Sequence, residues 1–358
     1  MSAPEGAAAV LSEELARLLA GEHADPHGVL GLDGSVVRAR HPAAVSMRVL
    51  PAGGEPQEMV PLGAGLFAAE LSPRLAAMVG RVQAEGRDCP YLLEARLAGG
   101  RVSTYEDPYR CWPTLGDMDL HLFGEGRHRR LWEALGAHAR CHQGVDGVAF
   151  AVWAPTARSV RVVGDWNGWD GRAHPMRSLG ASGVWELFVP GVVPGSRYKY
   201  EVVSASGGLA LKADPMAREA ELPPATASVV PEPSRHRWGD DAWMAARAER
   251  GWPGARPMSV YEVHLASWRR VPEEDDRPLG YAELAEVLPA YVAEMGFSHV
   301  ELMPIAAHPF EGSWGYQVSS YYAPDPRLGS PDDLRALVDA FHRAGVGVLV
   351  DWVPAHFP

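Results

Sequence analysis

Two polar residues close this chain in a place where chemistry is often done. Val346-Gly347-Val348-Leu349-Val350 is a short, almost wholly apolar run, and Asp351 and His356 follow just past its end. A run apolar on both faces is expected as a strand buried on both sides, as in a parallel sheet covered by helices. A carboxylate and an imidazole beyond the C-terminal end of such a strand sit where barrels of parallel strands keep their active sites. Taken alone they are equally well explained as a cap and a satisfied histidine. The preceding connection, from Pro304 to about Gly329, adds weight because it carries Phe310, Trp314, Tyr316, Tyr321 and Tyr322 and would reach the same face. A structureless loop of that length in a compact domain is usually functional. Flat rings with a few carboxylates suit a neutral, hydroxyl-rich ring: the aromatic faces cover its C–H surface, and carboxylate or imidazole takes its hydroxyls. No Gly-rich loop opens a helix, which disfavours a nucleotide cofactor.

The elements that must position these residues begin at about residue 230. Met258 to Leu265 is expected as a strand, Tyr281 to Met295 as a helix with a kink or fresh start at Pro289, and His299 to Met303 as the next strand. Ser330-Pro331-Asp332-Asp333 is a helix start with an N-cap, a first-turn proline and acidic residues at the positive dipole end, and Gly345 fits a left-handed C-cap. The closing strand follows, so the order is β-α-β-α-β, which requires parallel strands with helical crossovers.

Upstream the period is that of short strands. After an amphipathic N-terminal helix with Leu11, Leu15, Leu18 and Leu19 on one face come Val36–Arg40, Val45–Val49, Leu66–Leu71 and Tyr91–Ala95. The same order recurs in Val148–Trp153, Val160–Val163, Val184–Val189 and Tyr198–Val202, and each copy ends in an Asp-Pro turn, Asp107-Pro108 and Asp214-Pro215. This reads as two β-sandwich modules of one ancestry, joined by a short helical piece from about His128 to Leu135. The expected domains are residues 1–112, 113–232 and 233–358.

A formal charge of −12 argues against nucleic acid or an anionic membrane as partner. Cys89, Cys111 and Cys141 match no metal-ligand spacing and are expected as reduced thiols; no metal and no cofactor are expected. Glu5, Glu13 and Glu14 stand where an export signal would be basic and apolar, and no apolar stretch approaches ~20 residues, so the expectation is a soluble, cytoplasmic protein.

Several blocks, in order, resemble bacterial 1,4-α-glucan (glycogen) branching enzymes. They are Asp119–Gly126, Gly164-Asp165-Trp166-Asn167-Gly168-Trp169-Asp170, Tyr261–Trp268, His299–Pro304, Ser313–Gln317 and Asp351–Phe357. The resemblance implies two N-terminal β-sandwich (immunoglobulin-like) modules, the second a family-48 carbohydrate-binding module. An α-amylase-type (β/α)8 TIM barrel, incomplete here, would follow. It implies α-1,4-glucan or glycogen as partner and a monomeric full-length form. By that likeness Tyr316 stacks or hydrogen-bonds at the subsite of the sugar to be cleaved, Asp351 orients the catalytic groups, and His356 binds that sugar's hydroxyls. The family's nucleophile and acid/base follow the fourth and fifth barrel strands, so they are expected beyond Pro358 and no residue of this chain is assigned a catalytic role. The chain alone is expected to be inactive in branching.

Ala355, where amylase relatives often have Asn, fits the branching version; debranching and trehalose-releasing enzymes are the alternative within the class, and a non-catalytic glycan-binding protein the alternative outside it. Trp166 and Trp169 are either a glycan platform or indoles filling the sandwich core, and Lys199, facing opposite to Tyr198 and Tyr200, is a weaker glycan contact. Glu262, His264 and Glu301 are expected to pack or hydrogen-bond, not to act as an acid–base pair.

Overall fold

A computed structural model describes residues 5–85, 90–250 and 257–356. Cys89, Phe357, Pro358 and the side chain of Leu11 lie outside that description. The chain forms two compact units, Met1–Asp214 and Pro215–Pro358.

The first unit opens with a helix, Glu5–Ala20, that buries Leu18. The first sandwich follows as β1 (Gly31–Asp33), β2 (Val36–Arg40), β3 (Ala44–Pro51), β4 (Gln57–Glu58), β5 (Val60–Gly63), β6 (Leu66–Glu70), β7 (Tyr91–Leu97) and β8 (Val102–Glu106). Its two sheets run β1-β2-β6-β5 and β4-β3-β7-β8. Alternate residues face inward, as a half-buried strand requires. Val37, Ala39, Phe67 and Ala69 of one sheet meet Met47, Val49, Leu93 and Ala95 of the other. A helix that strand periodicity does not announce, Pro73–Glu85, intervenes before β7 and contributes the fully buried Val79.

The second sandwich repeats this plan with β9 (Gly136–His142), β10 (Val145–Trp153), β11 (Ala157–Gly164), β12 (Arg177–Ser178), β13 (Val184–Pro190), β14 (Arg197–Ser204) and β15 (Leu209–Lys212). The sheets run β12-β13-β10-β9 and β11-β14-β15. The repeat extends to individual bonds. Tyr91 donates its hydroxyl to Asp107 at 2.7 Å and Tyr198 donates to Asp214 at 2.6 Å, each pair 16 positions apart. Both carboxylates are fully buried, so each turn is tied to the first residues of the last strand but one before it, β7 or β14. A cross-strand ion pair recurs too: Arg48 with Glu94 between β3 and β7, Arg161 with Glu201 between β11 and β14. The connector holds two helices, Asp117–Gly124 and Leu131–Ala134, where one was expected.

The second unit contains three parallel strands in the order Val260–Val263, His299–Leu302, Gly347–Val350. Helices Tyr281–Glu294 and Pro331–Arg343 cover one face, burying Leu284, Leu288, Val292, Leu337 and Phe341 against Val263, Val300 and Leu302. Ser330 caps the second helix through a bond from the Asp333 amide, and Gly345 takes φ +81° after its end, as the residues demand. Pro289 does not restart the first helix. One helix runs through it with the ring buried in the core, and packing outweighs the single bond that the missing N–H forgoes.

The expected double burial of the closing strand is not found. Leu349 is 37% and Val350 50% exposed, because both helices lie on one face of the sheet and among the described residues nothing covers this strand's outer end. The long connection is not structureless either: Ala306–Ala307 pairs antiparallel with Ser320–Pro324, and a short 3-10 turn spans Glu311–Ser313.

Candidate functional site

Parallel register places the ends of the three strands together. The bond from the Asp351 amide to the Leu302 carbonyl, at 2.9 Å, carries the pairing one residue past the last strand and fixes where the Asp351 side chain starts. The loop delivers Tyr316 to it: the phenol donates to Asp351 Oδ2 at 2.7 Å. Gly315 makes this possible, since it has φ +88° and a Cβ there would stand 2.4 Å from the Pro304 carbonyl oxygen. The bond to Asp351, and the negative charge around it from Asp351, Glu262 and Glu301, hold the phenol proton on, pushing Tyr316 up to about 12. At neutral pH this is a neutral donor on a carboxylate.

The loop is anchored by a cluster that the sequence reading did not single out. Arg327 donates to Asp325 at 2.9 Å and contacts His308, and both Asp325 and His308 are buried. Its only sequence signal is Asp325-Pro326-Arg327, in which the Asp325 carboxylate also accepts from the Arg327 amide at 3.1 Å. In the same loop and beside Asp351 in sequence, Phe310, Trp314 and Trp352 are exposed rings.

His356 is not brought to the Tyr316–Asp351 pair by any bond; it is exposed, at φ +58°, with no hydrogen bond among the described residues. His264 donates to or accepts from Ser267 Oγ at 2.8 Å, as a local structural role requires. Glu262 departs from the expectation. It stands in register beside Glu301, exposed and without a hydrogen bond among the described residues, because alternation points it away from the helices onto the open face of the sheet.

In the second sandwich, the loop after β11 resolves the two readings of its tryptophans differently. Trp166 turns inward and stacks on Phe150, with centroids 5.2 Å apart. Trp169 is exposed and held at φ +63°, a conformation costly for a bulky side chain. Asn167 locks the loop, accepting from the Gly164 amide at 2.9 Å and donating to the Val162 carbonyl at 3.0 Å. Lys199 pairs with Val163 across β11 and β14, next to the base of this loop, and points away from the buried Tyr198 and Tyr200.

Comparison with known proteins matches three family models in this order. Residues 11–109 match the "alpha-1,4-glucan branching enzyme GlgB, N-terminal domain", 134–217 "Carbohydrate-binding module 48 (Isoamylase N-terminal domain)", and 285–358 "Alpha amylase, catalytic domain". Similar curated proteins are 1,4-α-glucan branching enzymes of Myxococcus xanthus (53% identical, covering 98% of this chain and 47% of theirs) and Kitasatospora aureofaciens (54%, covering 98% and 44%). That of Streptomyces coelicolor is 54% identical, covering 96% of this chain and 42% of its own. The chain thus spans about half the length of the curated relatives it matches. A solved structure described as a putative α-amylase from Salmonella typhimurium covers 63% of this chain at 28% identity and a TM-score of 0.47, below what a fold assignment needs. High identity along nearly the whole chain, with sandwich, carbohydrate-binding and amylase models in order, places it in the bacterial 1,4-α-glucan branching-enzyme family, as the N-terminal portion of such a protein.

Proposed function

We propose that this chain binds α-1,4-glucan and, as part of a longer branching enzyme, positions a glucan chain for transfer to a 6-hydroxyl. The observation that carries the binding reading is Trp169: a large ring held in a costly backbone conformation by a hydrogen-bonded loop, exposed, in a loop that springs from the strand paired with Lys199, which alternation turns outward. A flat exposed indole suits the C–H face of a glucosyl ring, and an ammonium donates to its hydroxyls. Tyr316 and Asp351 form the second element. Asp351 has a second oxygen and further lone pairs to accept sugar hydroxyls, while its bond to Tyr316 fixes its orientation. His356 would join them as a hydroxyl ligand.

Transfer with retained configuration needs a nucleophile and an acid/base carboxyl ~5–5.5 Å apart. The acid protonates the leaving glycosidic oxygen, the nucleophile holds the chain covalently, and a 6-hydroxyl replaces water as acceptor. In this reading Tyr316 and Asp351 position substrate and the 358-residue chain alone does not branch. The free thiols of Cys111 and Cys141 suit a cytoplasmic location, and among the described residues no helix is long and apolar enough to cross a membrane.

The binding reading is tested by affinity electrophoresis in glycogen-containing gels. Trp169→Ala with Lys199→Ala is expected to weaken retardation about tenfold, roughly 1.4 kcal/mol, with unfolding unchanged. Equal retardation of variant and parent would count against it.

A further inference from the structure

The two sandwiches of the first unit are joined by several direct bonds and border a large, partly open cavity between them. Tyr109 donates to the Pro175 carbonyl at 3.2 Å, Ser159 to the Gly21 carbonyl at 2.6 Å, and Arg177 to the Cys111 carbonyl at 3.1 Å. With both sides tied by buried contacts, the space between them is a fixed feature of the unit. It measures about 970 Å³ and is lined from the first sandwich by residues 39–43, 92–93, 97, 101 and 103–109, and from the second by residues 144–146, 165–168, 170, 173–174 and 189–191. That volume is at the upper end of the ~300–1,000 Å³ of small-molecule sites. Gly168 and Asp170 line it but Trp169 between them does not, so the cavity adjoins the platform loop without including its exposed indole.

The lining selects a kind of ligand. Asp146, Asp165 and Asp170 bring carboxylates from the second sandwich. Of these, Asp165 is paired with Arg197 and Asp170 with Arg172, whereas Asp146 is exposed and unpaired among the described residues. On the facing side His41 and Tyr105 lie with ring centroids 6.0 Å apart, and Trp166 lines the side of the second sandwich. Burial lowers His41 and takes His174 down to about 3, so at neutral pH both imidazoles are uncharged hydrogen-bonding groups. The indole N–H of Trp166 and Nδ1 of His41 are buried without a partner, hydrogen-bonding capacity that folding has left unused. Arg40 and Arg101 also line the cavity, so its charges are mixed, and with two neutral imidazoles it favours no strongly charged ligand. It matches a neutral, hydroxyl-rich chain, whose hydroxyls donate to carboxylates and whose C–H faces lie on rings.

We infer that the cavity between the two sandwiches is a second glucan site, taking a short α-1,4-linked segment independently of Trp169 and Lys199. This rests on the glucan reading proposed above. A chain with two such sites would hold one glucan strand at the platform and another, or a later stretch of the same strand, between the sandwiches.

The test uses the 358-residue chain and maltoheptaose, read by calorimetric titration and by amide exchange. Two variants act on the cavity: Ala43→Trp, which places an indole in it from an exposed turn, and Asp146→Ala, which removes the unpaired carboxylate. Trp169→Ala with Lys199→Ala serves as the platform variant. The inference expects maltoheptaose to protect amides of residues 39–43 and 101–107 in the parent and in the platform variant. Each cavity variant should weaken that residual binding about tenfold while melting as the parent does. If the platform variant abolishes all binding, or if Ala43→Trp and Asp146→Ala bind as the parent does, the cavity inference fails and the glucan reading stands. If the parent binds no maltoheptaose and no glycogen, both fail together.

Discussion

Replacing Glu186 with alanine is expected to destabilise the second sandwich by about 3–5 kcal/mol, the cost of leaving one partner of a buried ion pair behind. Glu186 is fully buried on β13. One oxygen accepts from Arg177 Nε at 2.8 Å across the pairing of β12 with β13, and the other accepts from the Thr114 hydroxyl at 2.8 Å and its amide at 3.2 Å. Arg177 in turn donates to the Cys111 carbonyl. One carboxylate therefore ties an edge strand and the start of the connector to the sheet. Its removal leaves a guanidinium, a hydroxyl and an amide without their acceptor. Denaturant unfolding with amide exchange at Phe150 and Leu187 measures the effect. Glu186→Gln, which keeps the shape and an acceptor oxygen, should lose less. A loss under about 1 kcal/mol for the alanine variant would mean the pair contributes little beyond its own desolvation.

The second large effect is a pH dependence with an unusual sign. Asp107 is completely buried, and burial raises its carboxyl from 3.8 to about 6 against the opposing bonds from Tyr91 and the Tyr109 amide and the nearby Arg110 charge. The folded state then binds the proton more tightly than the unfolded chain. This contribution to stability is fully present below pH about 4 and is lost as pH rises through about 6. Over that window it amounts to about 3 kcal/mol. Most carboxylates change stability in the opposite direction, so the difference between parent and Asp107→Asn isolates it. That difference should shift by about 3 kcal/mol against the parent between pH 3 and pH 7; a pH-independent difference would show that the bonds from Tyr91 and Tyr109 outweigh burial.

The sandwiches were legible because their strands alternate. Inward residues such as Val37 and Ala39, or Tyr198 and Tyr200, recur with period two between glycine and proline turns. The Asp-Pro turns were visible as a repeat, but only the structure shows why they recur: each aspartate is the buried acceptor of a tyrosine at the start of the last strand but one, β7 or β14. The strand β5 was missed because all of Val60–Gly63 is exposed and no alternation is imposed on it. The helix Pro73–Glu85 hides behind a small-residue composition with Gly80 in its middle, although Ser72-Pro73 is a legitimate helix start.

At the candidate site, the Tyr316–Asp351 pair joins two blocks far apart in sequence, and spacing alone could only bring them to one face. Whether Trp166 or Trp169 faced solvent turned on the Gly168 bend and the Asn167 lock, which reverse the chain between them. The closing strand misled because an apolar run reports what the sequence can bury, and here Leu349 and Val350 remain open.

We propose that this chain supplies glucan-binding and positioning groups, with Tyr316 and Asp351 acting on the substrate and no nucleophile among them. The change with time in the spectrum of iodine-stained amylose, followed at increasing concentrations of the purified 358-residue chain, tests it most directly. The account predicts a spectrum unchanged at every concentration. A shift that grows in proportion to the chain added would contradict it, since branching would then be done by residues assigned here only to binding.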